Sequence, residues 1–181
     1  MGVAQGDRSK EDLLVLSAQA GNMRAFELLY RLHHKPLLRF AYRLSNDEAL
    51  SHDAVQEAWI TLSKTISKLK DPRGFRVWAY KTVRWRITDQ VRKRGIMHEP
   101  FDEQFNCAAP DAQNQGATSH QLRAHIDQLP ADDKHTLTLF YLGELSLVEI
   151  AAVLSLPVGT VKSRLNRARN KLREQMAGEG P

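Results

Sequence analysis

The sequence predicts an all-α fold of two small helical domains joined by a flexible linker, and three observations carry that expectation. Apolar residues recur every three or four positions along most of the chain. No segment alternates apolar and polar residues as a half-buried strand does. Between Gly95 and Ser119 the periodicity vanishes, and Gly95, Pro100, Pro110 and Gly116 stand among Asn, Gln, Asp and Ala, a composition suited to a linker. The expected division is residues 8–95, a linker over 96–119, and residues 120–176. Within 181 residues each unit has little core to bury, so both must be compact helical bundles. A content of 42% hydrophobic and 26% charged residues is that of a folding globular chain.

From Glu11 to Leu32 the apolar set Leu13, Leu16, Ala20, Phe26, Leu29 and Leu32 reads as the first helix, interrupted near Gly21-Asn22. A second helix carries Leu37, Leu38, Phe40, Ala41 and Leu44 after Pro36, since proline suits a first helical turn. A third runs from about Asp47 to Leu69, with Val55, Ala58, Trp59, Leu62 and Ile66 on one face, until Asp71-Pro72-Arg73-Gly74 breaks it. The fourth, Phe75 to about Arg94, repeats Phe75, Ala79, Val83, Ile87 and Val91 every four residues. Beyond the linker come a helix with Leu122, Ile126 and Leu129, a boundary at Pro130, and a helix near Asp133 to Leu142. Ser146-Leu147-Val148-Glu149 has the spacing of a capping box, so the next helix starts at Ser146 and ends around Ser155-Leu156 ahead of Pro157. A last helix spans about Val158 to Gln175, and Met176 to Pro181 reads as a frayed tail.

Several function classes fall away. A net charge of +5 and a pI near 9.5 point to an anionic partner. No run approaches the ~18 apolar residues of a spanning helix, and Met1 to Gly21 lacks the pattern of a secretory signal, so the expectation is a cytoplasmic protein without membrane insertion. Cys107 is the single cysteine, and the adjacent His33 and His34 lack zinc-site spacing, so no metal or cofactor is expected. With no glycine-rich phosphate loop, metal spacing or nucleophile motif, an enzyme acting on a small-molecule substrate is the weakest candidate.

Charge distribution says more than the total. In the last helix Val161, Leu165, Ala168 and Leu172 share one stripe, while Lys162, Arg164, Arg167, Arg169, Lys171 and Arg173 stand without an acid between Pro157 and Arg173. Like charges at neighbouring turns repel, so a purely cationic surface makes sense opposite phosphates. A merely basic surface helix would explain the charge, but not the capping box and tight turn ahead of it. Together they describe a helix-turn-helix whose recognition helix enters a major groove. Thr160, Ser163, Arg164 and Arg167 are the candidates for base contacts, and Lys162, Arg169 and Lys171 for phosphates.

The fourth helix and the turn before it concentrate cations again, with Arg73, Arg76, Lys81, Arg84 and Arg86 interleaved with Trp78, Tyr80 and Trp85. Cations that track a backbone beside aromatic faces that stack on bases suit single-stranded or melting nucleic acid. Trp78, three residues from Phe75, reads equally as core or contact, whereas Tyr80 and Trp85 fall away from the core stripe. Near the start of the third helix Asp47, Glu48, Asp53 and Glu57 lie beside Gln56 and Trp59. Acids there complement the helix dipole, yet such a surface is poorly placed against phosphate, and a protein partner is its natural reading.

These residues resemble a known family. Leu129-Pro130, Leu145-Ser146-Leu147-Val148-Glu149-Ile150-Ala151, Pro157-Val158-Gly159-Thr160-Val161-Lys162-Ser163-Arg164-Leu165, Arg167-Ala168-Arg169 and Leu172-Arg173 are similar to region 4 of extracytoplasmic-function sigma factors. Asp53-Ala54-Val55-Gln56-Glu57 and Trp78-Ala79-Tyr80 with Arg84, Asp89 and Arg92 resemble region 2. The resemblance implies a protein that performs no chemistry but brings core RNA polymerase to promoter DNA. It assigns Asp53, Gln56, Glu57 and Trp59 to polymerase binding. It assigns the loop Leu69 to Phe75, with Lys70, Asp71, Arg73 and Phe75, and the helix residues Arg76, Trp78, Tyr80, Lys81, Arg84 and Trp85 to the minus-ten element and its melting. Thr160, Lys162, Ser163, Arg164, Arg167, Arg169 and Lys171 then read the minus-thirty-five duplex. An anti-sigma factor is a common further partner in the family.

Four positions depart from the family pattern. Trp85 stands where many relatives carry Asn, Lys81 where Arg is common, His135 where Arg is frequent, and Ser155 where Gly often makes the helix-helix turn. Ser155 is tolerable if its backbone avoids a left-handed conformation. Two other readings stay open on the residues alone. One is a stand-alone helix-turn-helix regulator, which leaves the first domain's acidic face without a task; the other is a sigma mimic that sequesters an anti-sigma protein, against which the cationic last helix argues.

Overall fold

In the computed structural model, which describes residues 3–93, 122 and 124–177, the helices fall in two groups and no strand occurs among those residues. The first group begins with α1 (Val3–Gln19) and α2 (Met23–Ser45). Gly21 separates them by taking φ +91, a conformation cheap only for glycine. Asn22 then caps α2, its side-chain oxygen accepting from the N–H groups of Arg24 at 3.0 Å and Ala25 at 3.2 Å.

Pro36 does not open a helix as the sequence reading expected; it lies inside α2. An interior proline forfeits one helical hydrogen bond and costs about 3 kcal/mol. Here the buried face runs unbroken through Ala25, Leu29, His33, Leu37, Phe40 and Leu44, and burial on both sides of Pro36 outweighs that loss.

α2 closes on Asn46 at φ 54, and Asp47 at once caps α3 (Glu48–Thr65) by accepting from Leu50 N–H at 2.9 Å. A 3-10 turn over Ile66–Lys68 follows, whose carbonyl at Ile66 and that of Leu69 receive the Gln19 side-chain amide at 3.0 and 2.6 Å. Asp71 caps a second 3-10 turn, Pro72–Gly74, which leads into α4 (Phe75–Lys93). The expected core stripe of α4 is buried, from Phe75 through Val83 and Ile87 to Val91.

One buried polar cluster ties this group together. Glu11 of α1 receives Arg76 of α4, with Nε at 2.9 and 2.8 Å from its two oxygens, and His33 Nε2 of α2 lies 3.1 Å from Oε1. Burial by itself would raise the Glu11 carboxyl; hydrogen bonds to His33 and Arg76 and electrostatic attraction to both outweigh it and hold it at about 2.

The second group contains α5 (Ala131–Tyr141), α6 (Leu147–Leu154) and α7 (Val158–Ala177), preceded by helical residues at 124–127. The expected capping box is formed: Ser146 Oγ accepts from Glu149 N–H at 3.3 Å, and Glu149 Oε2 accepts from Ser146 N–H at 2.7 Å. Ser155 corrects the sequence reading, because it adopts φ 59, ψ 43, the left-handed conformation it was expected to avoid. Its N–H and that of Leu156 both bond to the Ala151 carbonyl, so the closing bonds of the helix offset a backbone cost of roughly 1–2 kcal/mol. The expected linker and the tail beyond Ala177 lie outside the described residues.

The two groups touch where α6 packs on α4 and α5 on α2. Arg8 of α1 donates to both carboxylate oxygens of Glu149 at 3.1 Å and to the Glu144 carbonyl at 2.7 Å. Arg43, in the last turn of α2, pairs with Asp127. Burial pushes His135 down to about 4, so its ring is neutral at pH 7, and Nε2–H donates to the Arg43 carbonyl at 2.9 Å.

Candidate nucleic-acid interface

α7 presents its cations on two flanks of the buried seam Val161, Leu165 and Ala168. Lys162, Ser163 and Lys171 are exposed, and Thr160 is half-buried. The arginines are held from below by α5. Arg167 grips buried Asp133 with both Nε and Nη2, at 2.7 and 2.6 Å, Arg164 pairs with Asp132, and Arg169 reaches the Tyr141 hydroxyl at 3.1 Å while lying 5.0 Å from the Phe140 ring centre. The two acids occupy the first turn of α5, where the helix dipole favours them. The sequence reading missed this carboxylate support for the recognition helix. The pair Asp132-Asp133 was the available signal.

On the first group, Lys70, Asp71, Arg73, Lys81 and Trp85 form an exposed set at and beyond the turn into α4. Arg73 is folded onto Asp71, its Nη2 at 2.9 Å from Oδ2. Trp85 is 57% exposed and carries the guanidinium of Arg86 4.8 Å from its ring centre. Arg86 is in turn fixed by Glu57 at 3.2 Å and by the Thr61 hydroxyl at 2.8 Å. It thus links the acidic face of α3 to the one large exposed aromatic among the described residues of α4. Nothing in the spacing of α3 or α4 alone shows that contact.

Other residues of the expected minus-ten set are not on that surface. Phe75 is buried at 1% exposure, and Trp78 and Arg84 are half-buried. Arg76 is turned inward onto Glu11. Tyr80, expected away from the core, is 2% exposed, with its ring 5.2 Å from Phe40. The reason is a second burial face: α2 and α3 cover one side of α4 while α6 covers another, and a single helical stripe cannot register both. Burial raises the Tyr80 hydroxyl well above its ordinary value, so it stays protonated.

Asp53, Gln56 and Glu57 are exposed on α3, as a protein-binding face requires. Trp59 is not on that face, being 5% exposed. It supports the face from below, packed edge-on to Phe26 at 5.8 Å and against Tyr30 at 5.0 Å, and Tyr30 stacks on His34 at 4.6 Å. Among the described residues no group of His, Cys, Asp and Glu is arranged to hold a metal, and no helix is long and apolar enough to cross a membrane.

Comparison with known proteins accords with this arrangement. The family description Sigma-70 region 2 matches residues 29–96, and Sigma-70, region 4 matches residues 119–172. The ECF RNA polymerase sigma factor SigE of Mycolicibacterium smegmatis is 30% identical over 162 residues, covering 86% of this chain and 63% of that protein's length. The ECF RNA polymerase sigma-E factor of Escherichia coli is 31% identical over 183 residues, covering 90% of this chain and 92% of that protein. Among solved structures, the sigma factor RpoE of Bartonella quintana, crystallised with the anti-sigma factor NepR, superposes with a TM-score of 0.66 at 25% identity, covering 86% of this chain and 98% of that one. A cationic helix-turn-helix, a basic helix with an exposed tryptophan and an exposed acidic face thus occur in a chain matched along most of its length by these relatives, and the chain belongs to the extracytoplasmic-function (ECF) RNA polymerase sigma factors.

Proposed function

We propose that residues 8–95 bind core polymerase through Asp53, Gln56 and Glu57 and engage the minus-ten element, and that residues 120–176 read the minus-thirty-five duplex through α7. The observation that carries this reading is the separation of charge: an exposed acidic face on α3, unsuited to phosphate, beside cations on α4 and α7 that suit it. At the duplex, exposed Ser163 and Arg167 together with half-buried Thr160 and Arg164 are the base-contacting set, while Lys162, Arg169 and Lys171 anchor the backbone. Catalysis belongs to the polymerase; this chain contributes promoter binding and strand separation in the cytoplasm. The likeness to a sigma factor solved with its anti-sigma factor supports a second, regulatory partner of that kind.

At the minus-ten element the exposed group that fits an unpaired base is Trp85, with Lys70, Arg73 and Lys81 along the adjoining backbone. Tyr80 acts beneath that surface, so its replacement would test packing rather than base contact. Stacking of a base on an aromatic ring is worth about 1–3 kcal/mol. With core polymerase bound, Trp85→Ala is therefore expected to lower permanganate reactivity of the opened thymines about tenfold, while closed-complex affinity changes less than about twofold. Equal losses in opening and in duplex binding would reject a melting role for Trp85.

A further inference from the structure

The loop that carries Lys70 and Arg73 is short and irregular, and α1 holds it. Leu69, Lys70 and Asp71 bridge the two 3-10 turns, with Leu69 at φ −70, ψ 114 and Asp71 at φ −123, ψ 115, both extended. Backbone bonds close the turns themselves, Leu69 N–H to the Ile66 carbonyl at 3.1 Å and Gly74 N–H to the Asp71 carbonyl at 3.0 Å. Extended residues cannot close local bonds of that kind, so the course of the bridge depends on partners elsewhere in the chain.

α1 supplies those partners and packs on both 3-10 turns. Nε2 of its last residue, Gln19, lies 3.0 Å from the Ile66 carbonyl oxygen and 2.6 Å from that of Leu69. A side-chain amide has two N–H donors and an oxygen that only accepts, so these two carbonyls fix the orientation of the amide and use both its donors. Asp12 stands seven positions earlier and so on the same face of α1. Burial and then the charge of Glu11 raise its carboxyl, while Arg73, folded onto Asp71, acts against them. The end of α1 is itself rigid: the N–H groups of Ala20, Gly21 and Asn22 bond to the carbonyls of Leu16, Ala18 and Ser17 at 3.1, 3.0 and 3.1 Å.

From these contacts we infer that Gln19 is a positioning residue for minus-ten recognition: without touching DNA, it clamps the Ile66 and Leu69 carbonyls so that Lys70 and Arg73 meet the strand in one register. The inference rests on the minus-ten reading of this loop given above. Phosphate contacts carry no sequence themselves, but they set the register in which bases are presented to the protein. Recognition of that kind needs its groups held to within about 0.5 Å, and long exposed side chains such as Lys70 and Arg73 cannot fix the backbone they hang from. A donor at the closed end of a helix can.

The test uses the full chain with core RNA polymerase and two pools of one promoter that the parent transcribes, the first randomised across the minus-ten element and the second across the minus-thirty-five element, with the transcripts sequenced. Gln19→Met keeps the length and removes both donors; Gln19→Glu keeps the shape and sets oxygens against two carbonyl oxygens. Gln19 is half-buried at a helix end and outside the apolar core, so both variants are expected to fold. Base preference at the minus-ten element, about tenfold per position in the parent, should drop below about threefold in Gln19→Met and further in Gln19→Glu. Preference at the minus-thirty-five element should stay within about twofold of the parent's. A residue serving stability alone would weaken both elements together or neither. Unchanged minus-ten preference in both variants, or equal loss at both elements, would overturn the positioning role. Lys70→Ala with Arg73→Ala reads the underlying assignment separately. If that pair leaves the minus-ten profile intact, the loop does not meet the element and the inference falls with that reading; if it flattens the profile while Gln19→Met does not, the positioning role alone fails.

Discussion

Glu11→Gln is expected to cost about 3 kcal/mol of folding stability at pH 7 and to flatten the acid limb of the stability profile. The Glu11 carboxyl is held at about 2 against an ordinary 4.5. A carboxyl depressed in the folded state contributes stability that is complete above the unfolded value near 4.5 and is lost as pH falls toward about 2. Urea denaturation between pH 7 and 2.5 measures it: the parent should lose this contribution below pH 4.5, and the variant should have less to lose. Arg76→Ala should destabilise similarly, because it leaves a buried carboxylate facing His33 alone. If Arg76→Ala kept full stability while promoter opening failed, Arg76 would be a DNA contact after all, and the inward pairing would not govern its role.

The second large effect concerns Arg167. Because Asp133 is fully buried beneath the largely exposed Arg167 side chain, Arg167→Ala is expected to cost the C-terminal helices about 1–3 kcal/mol, the order of leaving a buried acceptor without its partner. Loss of transcription in that variant would then mix unfolding with lost recognition. Ser163→Ala and Lys171→Ala separate the two, since both residues are exposed. Melting temperatures should stay near the parent value. Ser163→Ala should lose affinity at one promoter position only, and Lys171→Ala should lose it uniformly and reduce the salt dependence by about one phosphate contact. Unchanged thermal stability in Arg167→Ala would show that Asp133 finds other partners and that Arg167 is free for DNA.

These two residues show where the sequence was readable. The four-residue repeat from Phe75 to Val91, the capping box at Ser146 and the acid-free stretch up to Arg173 in the last helix are local patterns, and each is found where the spacing put it. Pairings between distant segments leave no such trace. Glu11 and Arg76 are 65 positions apart, and Arg167 and Asp133 are 34 apart. Lys81 and Lys171 are exposed, as a cation must be to meet phosphate, whereas the inward turn of Arg76 onto Glu11 left no trace in the local pattern. Pro36 and Ser155 were misjudged for a related reason. Each breaks a local backbone preference, and helix burial along α2 or closing hydrogen bonds at Ala151 offset the cost. Tyr80 was misplaced because α4 is buried on two sides, one of them by the second helix group.

The central claim is that this chain directs core RNA polymerase to promoters. Run-off transcription with purified bacterial core enzyme on a library of genomic promoter fragments, with and without the protein, tests it most directly. The expected result is a set of transcripts that appear only when the protein is added, share two sequence elements upstream of their starts, and disappear with Asp53→Arg/Gln56→Arg, at two exposed positions of α3, while free-protein folding is retained. Tight duplex binding without core and no added transcripts would contradict the account and leave a stand-alone helix-turn-helix regulator in its place.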